Sequence, residues 1–189
     1  MDIPVAVQYR HAHLSAADQA RLFGADAVLK AVAHVGHRGQ VAYRETITVV
    51  GPNGRLEQVR VLGPVRAETQ VELSPVEAEA LGIDAPVRLS GDVKRAASCG
   101  LKGPHGSIRA RACVIIPARH LHCSARDAKR LGVKQGDVVS VGVVGRPETR
   151  VEHVAVRVHP SFRTSFHLTA DEAAEFWLGA DDRVRVERM

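Results

Sequence analysis

Aromatic side chains are scarce: four Phe, two Tyr and one Trp make up 4% of 189 residues. A chain so poor in them must build its core from Val, Leu, Ile and Ala, and it offers few platforms for stacking bases, which argues against a nucleic acid ligand. Cysteine is also sparse. Cys99, Cys113 and Cys123 form no paired framework and no C-x-x-C motif, so no disulfide is expected and a reducing compartment is. No stretch approaches about 18 apolar residues, which excludes a membrane-spanning helix. The opening MDIPVAVQYR lacks the basic-then-apolar order of a secretion signal, so the expected location is cytoplasmic. Acidic residues are outnumbered, 21 to 26, for a formal charge of +5 with arginine dominating lysine. The planar arginine fork suits phosphate oxygens, so a small anionic partner fits this balance.

What the sequence does hold is short Val- and Ile-rich segments: IPVAVQ, ETITVV, EQVRVLG, CVIIPA, DVVSVGVV and VEHVAVRV. They read as strands. Gly-Pro turns separate some of them, GPNG at Gly51 to Gly54 and GPHG at Gly103 to Gly106. The expected class is mainly β, a barrel or sandwich architecture. By composition alone, Lys94 to Ser107 reads as an exposed connection.

One local pattern occurs four times: HLSAADQARLFG from His13, ELSPVEAEALGI from Glu72, HCSARDAKRLGV from His122 and HLTADEAAEFWLG from His167. In each, Ser or Thr precedes Asp or Glu by three residues: Ser15 and Asp18, Ser74 and Glu77, Ser124 and Asp127, Thr169 and Glu172. That spacing predicts a capping box, with the hydroxyl and the carboxylate each satisfying an amide donor at a helix start. Pro75 occupies a first helical position, and Gly24, Gly82, Gly132 and Gly179 are the expected helix ends.

Two residues before each cap stands a side chain able to ligate metal: His13, Glu72, His122 or His167. Two junctions carry a second histidine, because RHAH at Arg10 to His13 is echoed by RHLH at Arg119 to His122. Residues two apart on a strand share a face, so each pair can offer two imidazoles to one ion. A single His-x-His is a weak signal; a repeated one, each preceded by Arg and followed by a capped helix, is stronger. Glu72 and His167 supply a third ligand for each pair, the count found at zinc sites with an open position. His34, His37, His105, His153 and His159 have no partner at ligand spacing and read as surface groups. Cys123 follows His122 and points to the opposite face, as a packing residue.

VAVQYRHAHLS, VRVLGPVRAETQVELSPVEAEALGIDAPVRLSGDV, RHLHCSARDAKRLGVKQGDVVSV and VAVRVHPSFRTSFHLTADEAA together resemble the PduL-type phosphotransacylases, or phosphate propanoyltransferases. The resemblance spans nearly the whole chain. It implies two β-barrels capped by short helices with a dinuclear zinc site between them. Residues 10–117 would form a central barrel, with Lys94 to Ser107 inside it, and residues 1–9 would join 118–189 in a second. It also implies zinc ligation by His11, His13 and Glu72 at one ion and by His120, His122 and His167 at the other. The implied activity interconverts acyl-CoA (propanoyl-CoA or acetyl-CoA) and phosphate with acyl phosphate and coenzyme A. A homodimer, a role in propanediol degradation and association with a bacterial microcompartment shell follow from the same likeness. Strand IPVAV opens at residue 3, so the amphipathic extension that many relatives carry ahead of it is not expected. Gln8 and Tyr9 replace a Ser-Asn pair common in the family, and HLTADEAAEFW departs from the usual HIDTDEANA, changes that bear on the acyl pocket.

Under this reading the coenzyme A sulfur goes to the zinc held by His11, His13 and Glu72. A free thiol has a pKa of roughly 8.5, and metal favours its thiolate form. Arg66 and, second, Arg157 are the expected phosphate donors, with Gln70 and Ser90 orienting phosphate or carbonyl. No G-x-S-x-G elbow or base-flanked cysteine suggests a protein nucleophile. The alternative is a zinc-dependent hydrolase of acyl phosphate or thioester, in which the metal activates water. A nucleic-acid-binding barrel with structural metal fits less well, because structural zinc sites are closed by four ligands.

Overall fold

The computed structural model describes residues 1–35 and 39–187; His37 therefore lies outside the described residues. In chain order the elements are β1 (Ile3–Gln8), β2 (His11–His13), α1 (Ala16–Phe23), β3 (Ala31–His34), β4 (Val41–Val50), β5 (Arg55–Gly63), β6 (Gln70–Glu72), α2 (Pro75–Leu81), β7 (Val87–Arg88), β8 (Ala97–Lys102) and β9 (Ser107–Pro117). They continue with β10 (His120–Cys123), α3 (Ala125–Leu131), β11 (Val138–Val143), β12 (Arg146–Val158), β13 (Ser165–Thr169), α4 (Ala170–Glu175) and β14 (Arg183–Glu187). The protein is mainly β, as its Val- and Ile-rich segments require, and no helix among the described residues is long and apolar enough to cross a membrane. Its chain divides into two compact units, Arg10–Pro117 and Met1–Tyr9 with Ala118 onward.

In the central unit, β4, β5, β2, β6, β9 and β8 pair in that order, and β8 returns to β4, closing a ring. Short strands β3 and β7 flank it on β4 and β9. Leu14, Val49, Val59, Val61, Val71, Leu73, Leu101 and Val114 are essentially inaccessible and fill the interior. The segment from Lys94 to Ser107 is not an exposed connection: Ala97–Lys102 forms the strand that closes the ring, with Cys99 and Leu101 buried. Its low apolar content concealed this, because only every second residue of a barrel strand faces inward.

In the other unit, β1, β13, β10, β12, β11 and β14 make a closed barrel. Its interior is Ile3, Leu121, Val141, Val154, Val156, Phe166, Leu168 and Val184. Cys123 is fully buried among them, and burial pushes its thiol up to about 11, with the Asp127 charge adding to the shift. Cys99 and Cys113 are also buried, free thiols, their sulfurs 3.7 Å apart.

All four Ser or Thr residues cap their helices, each hydroxyl accepting from the backbone N–H three residues on. The reciprocal bond forms only where that residue is Glu: Glu77 accepts from the Ser74 amide and Glu172 from the Thr169 amide. Asp18 and Asp127, one methylene shorter, take other donors instead. Thr69 Oγ1 donates to Asp18 at 2.6 Å, and Thr164 Oγ1 and Ser124 Oγ donate to Asp127. These two bonds hold the Asp127 carboxyl below its ordinary range. Gly24, Gly82 and Gly132 end the first three helices. The fourth stops at Glu175, short of Gly179, because Trp177 itself takes the left-handed conformation (φ 53°) and Leu178 N–H bonds back to Ala173 O.

Candidate active site

Each unit carries one set of the candidate ligands, and the two sets share a plan. In the central unit, β2 lies antiparallel to β6 with His11 opposite Glu72 and His13 opposite Gln70. In the other, β10 lies antiparallel to β13 with His120 opposite His167 and His122 opposite Ser165. The third ligand is thus the cross-strand partner of the first histidine in both cases. Strand pleat puts paired residues on one face, which is how positions far apart in sequence meet.

His120, His122 and His167 are all buried, and their ligand nitrogens lie within 4.8 Å of one another, a grouping that could hold a metal ion. The His120 and His167 rings stack at 4.8 Å with an 11° tilt. The Ala118 carbonyl, 2.8 Å from His120 Nδ1, can only accept, so this nitrogen carries the proton and Nε2 presents the lone pair of the neutral ring. Ser165 Oγ donates to Arg163 O and stands 2.7 Å from His167 Nε2. Arg157 is the β12 neighbour of His122 in parallel register.

In the central unit, His11 Nε2 lies 3.5 Å from Glu72 Oε2. Glu72 is 1% exposed, and this oxygen accepts no hydrogen bond among the described residues. A carboxylate oxygen in that state is costly unless a proton or cation compensates it, so the donor set fits a divalent ion. Gln70 steadies the other oxygen. Its amide nitrogen donates to Glu72 Oε1 and Ser90 Oγ, while its carbonyl accepts from the Gly91 amide at 2.8 Å. His13 Nδ1 donates to Leu62 O at 3.1 Å, and its Nε2 accepts from Arg66 Nη2 at 2.8 Å. Arg66 therefore occupies the His13 nitrogen whose lone pair a cation would use. Arg66 also reaches Ser90 Oγ at 3.5 Å, and its backbone N–H is fixed on Leu14 O.

The structure thus brings His11, His13, Arg66, Gln70, Glu72 and Ser90 together in one unit, and His120, His122, Arg157 and His167 in the other. His34, His105, His153 and His159 are exposed. Several groups at these sites escaped sequence reasoning. Ser165 was within its reach, since a residue two before His167 on a strand shares its face. Gln40, whose amide lies 3.5 Å from His13 Nε2, and Phe162, stacked on His122, come from loops whose paths no spacing rule gives.

A family model for phosphate propanoyltransferase matches residues 4–178. The phosphate propanoyltransferase of Rhodobacter capsulatus is 42% identical over 187 residues, 99% of this chain and 87% of that protein. That of Thermotoga maritima is 42% identical over 186 residues, covering 97% and 88%. That of Salmonella typhimurium is 42% identical over 172 residues, covering 90% and 81%. With its two barrels and buried histidine sets, this chain belongs to the phosphate propanoyltransferase family of acyltransferases.

Proposed function

We propose that the protein interconverts propanoyl-CoA plus inorganic phosphate with propanoyl phosphate plus coenzyme A, accepts the acetyl analogues, and passes the acyl group directly between phosphate and sulfur. The observation that carries the reading is the matched construction of the two ligand sets, each a His-x-His strand with its third ligand in register across an antiparallel pair. His11, His13 and Glu72 would hold one zinc ion and His120, His122 and His167 a second. Bound zinc supplies a Lewis acid that polarises an acyl carbonyl and favours thiolate over thiol.

The chain's own residues do the rest. Glu72 is aimed by Gln70, whose amide is itself oriented by the Gly91 N–H, so the carboxylate is preorganised. Arg66 and Arg157 are the phosphate donors, and the guanidinium fork matches two oxygens at once. Arg66 donates to His13 Nε2, so a cation held by His13 would leave this guanidinium for an anion. Ser90, which accepts from both Arg66 and Gln70, sets the distance between the anion-binding and carboxylate groups.

The test is a coupled one. Purified protein is assayed for acyl-CoA formation from propanoyl phosphate and from acetyl phosphate, and for phosphorolysis of propanoyl-CoA, with zinc counted before and after chelation. The expected result is turnover that requires phosphate in the phosphorolysis direction and is lost with the metal. Full activity in metal-free protein, or release of free acid independent of phosphate, would overturn the reading, the latter in favour of a hydrolase.

A further inference from the structure

The loop between β12 and β13 covers residues 159–164 and is tied at both ends. The His159 amide donates to Cys123 O at 3.1 Å, at the end of β10. Thr164 Oγ1 donates to Asp127 Oδ2 at 2.7 Å, at the start of α3. Between them the Phe162 amide donates to His159 O at 3.0 Å and closes a turn. This scaffold presents the Phe162 ring over His122, with centroids 3.8 Å apart and planes tilted by 22°. The same ring has the Arg157 guanidinium carbon 5.7 Å from its centroid. His122 and Arg157 are register neighbours in the parallel pair β10 and β12, so their side chains leave the sheet on one face and Phe162 lies against both.

We infer that Phe162 is a positioning residue that holds the His122 imidazole and the Arg157 guanidinium in one arrangement, coupling cation retention to anion recognition. The inference rests on the roles proposed above for those two residues. The face of a phenyl ring is electron-rich. An imidazole whose lone pair is shared with a cation is electron-poor, and a guanidinium is cationic, so the ring favours the loaded, ordered state of both over the empty one. An interaction that differs between two states shifts the balance between them. Phe162 therefore acts on affinity through its partners rather than by touching the reacting atoms.

Three substitutions separate this role from simple packing. Phe162→Leu keeps apolar bulk and removes the ring face; Phe162→Tyr keeps the face; Phe162→Ala removes both. The readouts are the chelator concentration that strips half the zinc, KM for phosphate against kcat in propanoyl-CoA phosphorolysis, and the melting temperature. For Phe162→Leu the half-stripping chelator concentration is expected to fall about tenfold, in the range of lost ligand-supporting contacts. KM for phosphate is expected to rise about three- to tenfold with a smaller change in kcat, as loss of a cation–π contact implies. Phe162→Tyr restores both, and Phe162→Ala loses both with a lower melting temperature. A Leu variant that matches wild type in zinc retention and in KM for phosphate overturns the role of Phe162 while leaving the proposed function standing. A wild-type protein that retains no zinc and shows no phosphate-dependent turnover overturns the proposed function itself.

Discussion

Glu72 is the residue on which the site's electrostatics turn. Its carboxylate is 1% exposed, with one oxygen bonded by Gln70 and the other accepting nothing among the described residues. Glu72→Gln removes the charge and keeps the shape, so packing in β6 survives while the draw on a cation does not. The expected outcome is loss of one zinc equivalent per chain, measured by elemental analysis after dialysis, with the far-ultraviolet circular dichroism unchanged. Loss of both equivalents, or of neither, would show that Glu72 does not serve one ion alone. The placement of this residue beside His11 was partly legible, because period two puts His11 and His13 on one strand face. That Glu72 is the cross-strand partner of His11 depends on register, which no local spacing encodes. Gln70 shows the same limit from the other side: a sequence presents it as a substrate contact, whereas its amide hydrogens are directed at Glu72 and Ser90.

At the scale of elements, the arginine before each His-x-His pair has a structural task. Arg10 bonds Glu77 of α2 at 2.7 Å, and Arg119 bonds Glu172 of α4 at 2.7 Å. The first junction is thereby tied to the second and the third to the fourth, always through the glutamate that completes a capping box. The GPNG and GPHG turns complete the pairing at the opposite helix ends. The Asn53 amide donates to Leu81 O at the end of α2, and the His105 amide to Leu22 O near the end of α1, both at 3.0 Å. Carbonyls that a helix leaves unsatisfied are met by hairpin tips. Gly51 and Gly103 permit this approach, since a Cβ on either would lie within van der Waals overlap of those carbonyls, at 2.2 and 2.3 Å. Glu77→Ala removes both the box and the Arg10 pair and is expected to cost about 1–2 kcal/mol in urea unfolding. Glu77→Gln keeps an acceptor for Ser74 and loses the partly exposed ion pair, so its cost is expected to stay below about 1 kcal/mol. Equal costs would place the energy in the ion pair rather than the cap. The caps themselves were legible, because hydroxyl and carboxylate at fixed spacing are a local signal. The ties between junctions were not, since each spans more than 50 residues.

Across the whole molecule, the two rings repeat one connection scheme. In each, the His-x-His strand runs parallel to one neighbour (β5 or β12) and antiparallel to the strand carrying the third ligand (β6 or β13). That third strand is in turn parallel to the strand preceding a His-x-His motif in sequence, β9 beside β6 and β1 beside β13. Yet β1 precedes β2 in the chain and β9 precedes β10, so the strand just ahead of each His-x-His strand sits in the other ring. Composition announced short strands and a mainly β fold, barrel or sandwich, and this part was read from the sequence; an exchange of strands leaves no mark on periodicity. The exchange has a measurable consequence. Ile3 and Val5 lie at 0% and 5% exposure in the core of the ring formed with residues from Ala118 onward. Replacing both by Ala in the intact chain removes buried methyl groups beside β13 and β14, with the isoleucine alone worth about 2–5 kcal/mol. Hydrogen exchange read by mass spectrometry is expected to show faster exchange in β10, β13 and β14, more than 100 residues away in sequence, while β4, β5 and β9 keep wild-type protection. Because β13 carries His167, the same variant is expected to release zinc from one set before the other. Protection lost equally in both rings would mean that they unfold as a single cooperative body, and protection lost first in β4 and β5 would place the N-terminal strand in the wrong ring.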